Sequence, residues 1–132
     1  MHETELSIFI AAPIEKVWAA LTQPEVLRRW MEGNPKVEID LRPGGAYSFA
    51  DGATSGRFTK IEAPHTLEYT WRQREWDKDV PDSTVGWKLK AVKGGADVEL
   101  FHDGYPNEGL FEEFDAGWDV NWLGPMKEWL EA

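Results

Sequence analysis

The chain has 132 residues, 42% of them hydrophobic, and a formal net charge of −10. That length and apolar content suit one domain spanning residues 1–132 and argue against disorder. The acidity repels phosphate backbones and anionic bilayers, so neither nucleic acid nor membrane is an expected partner.

Cysteine is absent, which removes disulfides, thiolate nucleophiles and cysteine-ligated zinc and suits a reducing cytoplasm. No segment has the pattern of a targeting signal or the length of a membrane span. Residues Glu5 to Ala11 alternate, with Leu6, Ile8 and Ile10 on one face, which predicts a strand. Pro13 and Pro24 each suit the first position of a short helix. Val17, Trp18 and Leu21 form the apolar stripe of the first, and Val26, Leu27 and Trp30 that of the second. Alternation returns at Val37, Ile39 and Leu41, then over Ala46 to Ala50 and Arg57 to Ile61. It continues through Leu67, Tyr69 and Trp71, through Val85, Trp87 and Leu89, and through Val98, Leu100 and His102. The turns between these runs are marked by Pro43-Gly44-Gly45, Asp51-Gly52, Pro64-His65, the acidic stretch Asp77 to Ser83, and Lys93-Gly94-Gly95.

The period then changes. Phe111, Phe114, Trp118, Trp122 and Met126 recur at spacings of three and four, the stripe of a long helix that Leu130 extends. Acidic Glu108, Glu112 and Glu113 near its start suit the helix dipole. Gly117 and Pro125 interrupt it, and the missing N–H of Pro125 predicts a kink. Consecutive hairpins imply an antiparallel sheet, and one aromatic helix must cover its apolar face.

The run from Ile10 to Trp18, then Ala20-Leu21-Thr22 and Pro24-Glu25, resembles the opening of the START-like superfamily. Pro43-Gly44-Gly45 with Tyr47 and Phe49, followed by Ile61, Pro64 and Leu67 to Trp71, resembles its middle strands. Gly117-Trp118, Trp122-Leu123, Lys127 and Trp129-Leu130-Glu131 resemble its closing helix. Within the superfamily the chain is similar to the branch of homologues of the heat-shock chaperone ATPase activator. The resemblance implies an α+β helix-grip fold: a seven-stranded antiparallel sheet curved around a long C-terminal helix, with two short helices after the first strand and a cavity between sheet and helix. Members include lipid carriers, plant allergens that hold aromatic molecules, polyketide cyclases and chaperone co-factors, so the fold alone fixes no chemistry. Gly124-Pro125 departs from the family's usual helix-forming run.

Eight tryptophans are the unusual feature of the composition. Any single ring of Trp71, Trp87, Phe111, Phe114, Trp118 and Trp122 reads as core packing, but the set reads as the lining of an apolar pocket. Trp30, Phe49 and Tyr69 join that lining, and Gln73, on the face of Trp71, supplies one hydrogen-bonding group. No catalytic set is expected. His102 and Asp103 are strand neighbours that face opposite sides, so they read as a strand-end polar cluster with Tyr105. His65 falls in a turn and His2 at the terminus. No metal signature exists, and Asp77, Asp79 and Asp82 lack the glycine and distal glutamate of an EF-hand. Gly44-Gly45 and Gly94-Gly95 precede strands, not helices, so they are turns and not phosphate loops. Ser48, Ser55 and Ser83 sit in no nucleophile motif.

The function favoured by these residues is binding of a small hydrophobic molecule, lipid-like or polycyclic aromatic, without a cofactor. The alternative is a cyclase, aromatase or hydrolase in the same cavity, which would need two of His102, Tyr47, Tyr69 and Gln73 to converge. A chaperone-associated module ranks last, since those activators carry a second domain.

Overall fold

The structure, a computed structural model, describes residues 3–31 and 33–132; the reading at His2 lies outside the described residues. The strands are β1 (Glu3–Ile10), β2 (Val37–Ile39), β3 (Ala46–Phe49), β4 (Thr54–Glu62), β5 (Thr66–Gln73), β6 (Ser83–Val92) and β7 (Gly95–Asp103). They form one seven-stranded sheet in the order β1-β7-β6-β5-β4-β3-β2, with every pair antiparallel. Helices α1 (Ile14–Thr22) and α2 (Pro24–Trp30) follow β1. Pro24 is the first residue of α2, as its fixed φ favours, whereas Pro13 takes the capping position one residue before α1.

The period-two pattern explains the inner face. Tyr47 and Phe49, Leu67, Tyr69 and Trp71, Val85, Trp87 and Leu89, and Val98, Leu100 and His102 are all buried, while Lys88, Lys90, Asp97 and Glu99 between them are exposed. Burying one large apolar side chain contributes about 1.5–3 kcal/mol, so the aromatic rows dominate the gain. Gly56 on β4 is required by close approach: a Cβ there would fall 2.0 Å from the Thr70 carbonyl oxygen.

The closing helix consists of α3 (Glu108–Gly117), a π-helical turn (Trp118–Leu123) and α4 (Gly124–Glu131). The Asn107 side chain caps its start by accepting from the Leu110 N–H at 2.9 Å. The break expected at Gly124-Pro125 takes the form of the π turn. Pro125 has no N–H to return to the carbonyl four residues back, and just before it the pattern slips, with the Gly124 N–H donating to Asp119, five residues back. Backbone torsions stay right-handed helical at Gly117, Trp118, Leu123 and Gly124.

That turn also resolves a geometric problem in the apolar stripe. Steps of four residues overshoot a 3.6-residue turn by about 40° each, so an unbroken α-helix would carry Met126 roughly 120° away from Phe114. A turn closed by i→i+5 bonds takes about one residue more, worth about 100° of winding, and so cancels most of that drift. Trp118, Trp122, Leu123 and Met126 are thereby all buried, whereas α3 buries no side chain. The ends of the helix are tied to β1 and the residues after it. Lys127 Nζ donates to the Phe9 carbonyl at 2.7 Å, and Glu131 accepts from the Ala11 N–H at 2.9 Å. At the other end Tyr105 Oη lies 2.7 Å from Thr4 Oγ1, which donates to Asp115 at 2.9 Å.

Candidate functional site

A cavity of about 230 Å³ lies between the sheet and the junction of α3 with the π turn. The sheet contributes Phe49, Trp71 and Gln73, and the helix contributes Phe114, Trp118 and Trp122. Trp71 sits at the centre of this cage, its ring centroid 5.1 Å from Trp118, 6.1 Å from Trp122, 6.3 Å from Phe114 and 6.4 Å from Phe49. Phe49 meets Trp122 edge-on at 5.5 Å. Such tilted and edge-to-face contacts hold the rings apart at angles that leave space between them. Met31, Ala50, Thr54, Gly117 and Asn121 complete the wall.

The polarity of the wall is sparse, supplied by Thr54, Gln73 and Asn121. No charged side chain lines the cavity among the described residues. Thr54 Oγ1 donates to Gln73 Oε1, which leaves the Gln73 amide N–H₂ as the open half of that side chain. Trp71 is buried, and its Nε1–H has no hydrogen-bond partner among the described residues. Leaving a buried donor unpaired costs about 1–3 kcal/mol.

Behind the cage runs a closed polar chain. The Trp118 Nε1–H can only donate, and it meets His102 Nδ1 at 3.0 Å; Nδ1 is therefore the acceptor and Nε2 carries the proton. His102 Nε2–H in turn donates to Ser83 Oγ at 2.7 Å, and Ser83 Oγ–H donates to the Trp71 carbonyl at 2.9 Å. Burial holds the His102 pKa down at about 3, because an imidazolium here would be desolvated and would press an N–H against an indole N–H. The polarity is the reverse of a nucleophile–base pair, in which the imidazole accepts the serine proton. This serine and histidine fix the positions of Trp71 and Trp118 and do not activate a hydroxyl.

The structure thus brings together six of the ten residues expected to bind ligand: Phe49, Trp71, Gln73, Phe114, Trp118 and Trp122. The other four lie elsewhere. Trp30 packs behind Trp122 at 5.4 Å and donates to the Ala20 carbonyl at 2.9 Å. Trp87 is buried and donates to Tyr69 Oη at 2.9 Å, so each satisfies the other inside the core. Phe111 packs edge-on against Tyr105 at 5.5 Å.

The groups named for an enzymatic alternative do not converge. Tyr47 Oη donates to the Thr70 carbonyl, and burial pushes the Tyr47 and Tyr69 hydroxyls well above their ordinary pKa. His102, read from sequence as part of a strand-end cluster, is instead fully buried, because the β6–β7 register sets it opposite Val85, near Ser83. Of the four, only Gln73 reaches the cavity. A larger concavity of about 390 Å³ lies on the outer sheet face, but Glu5, Lys88 and Glu99 give it a charged wall. Among the described residues no cluster of side chains is arranged to hold a metal, and no helix is long and apolar enough to cross a membrane.

The family described as activator of Hsp90 ATPase homolog 1-like protein matches residues 11–131. The chain belongs to that family. Among solved structures, an HSP90 activator from Plasmodium falciparum superposes on this family member with a TM-score of 0.90 at 28% identity, covering 98% of this chain and 96% of that one. Protein CV1439 from Chromobacterium violaceum superposes with a TM-score of 0.81 at 27% identity, covering 99% and 98%. These likenesses establish the START-like helix-grip architecture. An uncharacterized protein of Schizosaccharomyces pombe is 31% identical over 65 residues; the match takes in 49% of this family member and only 19% of the yeast protein.

Proposed function

We propose that this protein binds a small aromatic molecule in the cavity beneath the π turn. The observation that carries the reading is the aromatic cage around Trp71, which lines a half-open cavity of about 230 Å³ with no charged lining among the described residues. Apolar cavities of about 150 Å³ already admit a benzene ring, so this one suits one or two rings. That volume favours a ligand of one or two rings over the longer lipid-like or polycyclic ligand suggested by sequence. A chemical-shift titration with naphthalene tests the proposal. Resonances of Phe49, Trp71, Phe114, Trp118 and Trp122 should move together. The plug variant Gly117→Leu, at a helical position whose Cβ meets nothing closer than 3.5 Å, should abolish the shifts while keeping the fold. Absence of any shift in the wild-type protein at saturating probe would remove the reading.

A second reading, docking on an Hsp90-type chaperone, is favoured by the whole-chain likeness to the Plasmodium activator. That solved chain is matched over 96% of its length, so the likeness extends across nearly all of it. Co-precipitation with the host chaperone, and stimulation of its ATPase, would support docking; neither effect at micromolar protein would exclude it.

A further inference from the structure

We infer that the outer face of the sheet is a self-association surface, on which a second copy of this chain packs about a two-fold axis lying between β6 and β7. This face is on the opposite side of the sheet from the aromatic cage.

The register lays out the face. Side chains alternate across a strand, so those between the buried rows project outward. Lys88 and Lys90 form the outward column of β6, and Glu99 and Asp97 that of β7; all four are exposed. Cross-strand pairing sets Lys88 beside Glu99 and Lys90 beside Asp97. Among the described residues none of these four belongs to an ion pair within the chain. A cationic column thus runs beside an anionic one, and both are left for an outside partner.

A two-fold interface sets one patch against itself, so the patch must be self-complementary. Turning a copy over about an axis parallel to the strands, midway between β6 and β7, exchanges the two columns and keeps each row. Lys88 then faces Glu99 of the second copy and Lys90 faces its Asp97, each pair made twice. Sheets packed face to face lie about 10 Å apart, a gap that a lysine and a carboxylate side chain span together. The next row supplies an apolar centre. Phe101 stands opposite Gly86, and a Cβ on Gly86 would fall 2.1 Å from the Phe101 ring. The ring therefore leans over the bare glycine, across the line between the columns, where it meets its own copy. Beside it, the concavity of about 390 Å³ bordered by Glu5, Ser7, Lys88 and Glu99 gives the incoming lysine room. Complementary charge around such a centre favours this partner and fixes its register.

Two features oppose the dimer. The net charge of −10 repels any second copy at long range. In the row of Phe101 and Gly86, β1 lies over β5 of the second copy, so Glu5 faces Glu68. The association is therefore weak, and the second feature is a handle on it.

Sedimentation of the intact protein at high micromolar concentration and physiological salt is the test. Wild type should show a concentration-dependent dimer. Lys88→Glu and Glu99→Lys should each weaken it by about tenfold or more, since each sets like charges face to face. An equimolar mixture of the two variants should recover the dimer. Each variant also carries like charges side by side within its own chain, and mixing leaves that unchanged, so recovery reports pairing between chains alone. Glu68→Lys should tighten the dimer. Wild type that stays monomeric, or a mixture no more associated than its parts, overturns the inference. So does a dimer that survives both single variants, since it uses another face. If either variant fails to fold, Glu68→Lys decides: tighter association supports the axis placed here, and unchanged association overturns it.

Discussion

His102 should make this protein lose stability as the solution is acidified, by an amount that one substitution can isolate. The imidazole is buried, neutral and bonded at both nitrogens, with its pKa lowered by burial from 6.5 to about 3. In the unfolded chain it takes up a proton as the pH falls through 6.5; in the folded chain it does not until about 3. The unfolded state therefore binds more protons throughout that window, and the stability present above it is progressively lost on the way down. From 6.5 to an assay pH of about 5 is roughly 1.5 units at about 1.36 kcal/mol each, a loss of about 2 kcal/mol. Carboxylates also titrate in this range, so the measurement must be a difference. Urea unfolding of wild type and His102→Gln at a series of pH values between about 7.5 and 5 supplies it, because glutamine can hydrogen-bond but cannot protonate here. The wild-type curve should fall more steeply, by about 2 kcal/mol in total. Parallel curves would refute the buried neutral imidazole, whatever the absolute stability of the variant.

Ser83→Ala should destabilise by about 1–3 kcal/mol, since it strands the His102 donor in the core; chemical and thermal unfolding check this, and an unchanged midpoint would mean that the imidazole has found another acceptor. Gly56→Ala should cost more than Gly86→Ala. The first drives a Cβ to 2.0 Å from the backbone oxygen of Thr70, whereas the second meets the far edge of the half-buried Phe101 ring, a side chain and not backbone. Their unfolding free energies, compared side by side, should differ by more than about 1 kcal/mol. Tyr105→Phe removes the hydroxyl that meets Thr4 and should cost only about 0.5–1.5 kcal/mol. Amide exchange should nevertheless quicken selectively along α3, which buries no side chain of its own; uniform exchange across the chain would contradict that.

The seven strands, the two proline-led helices and the amphipathic closing helix were legible because each writes a period into the sequence. So was the irregularity at Gly124-Pro125, although not its form. Spacing by four at Phe114, Trp118, Trp122 and Met126 already demanded a wider turn, and that arithmetic was the available signal. The Ser83–His102 bond was not legible. It joins residues 19 apart on neighbouring strands through a register set by the hairpin between them. Half of the cavity wall was equally silent. Ala50, Thr54 and Gly117 matter there by leaving space unfilled, and small residues leave no hydrophobic trace. Conversely, Tyr69 and Trp87 obeyed the inward pattern but lie along the sheet where the core is filled and their polar atoms pair with each other. Alternation tells which face a side chain takes, not how far along the strand the gap opens.

The π turn has a consequence for descent. It behaves as one surplus residue lodged in a helix, next to exposed Val120. Deleting that residue would restore ordinary winding and leave the phase nearly unchanged, because the remaining steps from Phe114 to Met126 come within about 20° of whole turns. Phe114 and Gly117 would still face the cavity. Ordinary winding with the residue kept would instead swing them about 100° away from it. Within a lineage that shares this sheet, the wide turn is thus what lets the helix carry one more residue beside the cavity without turning its aromatic face aside.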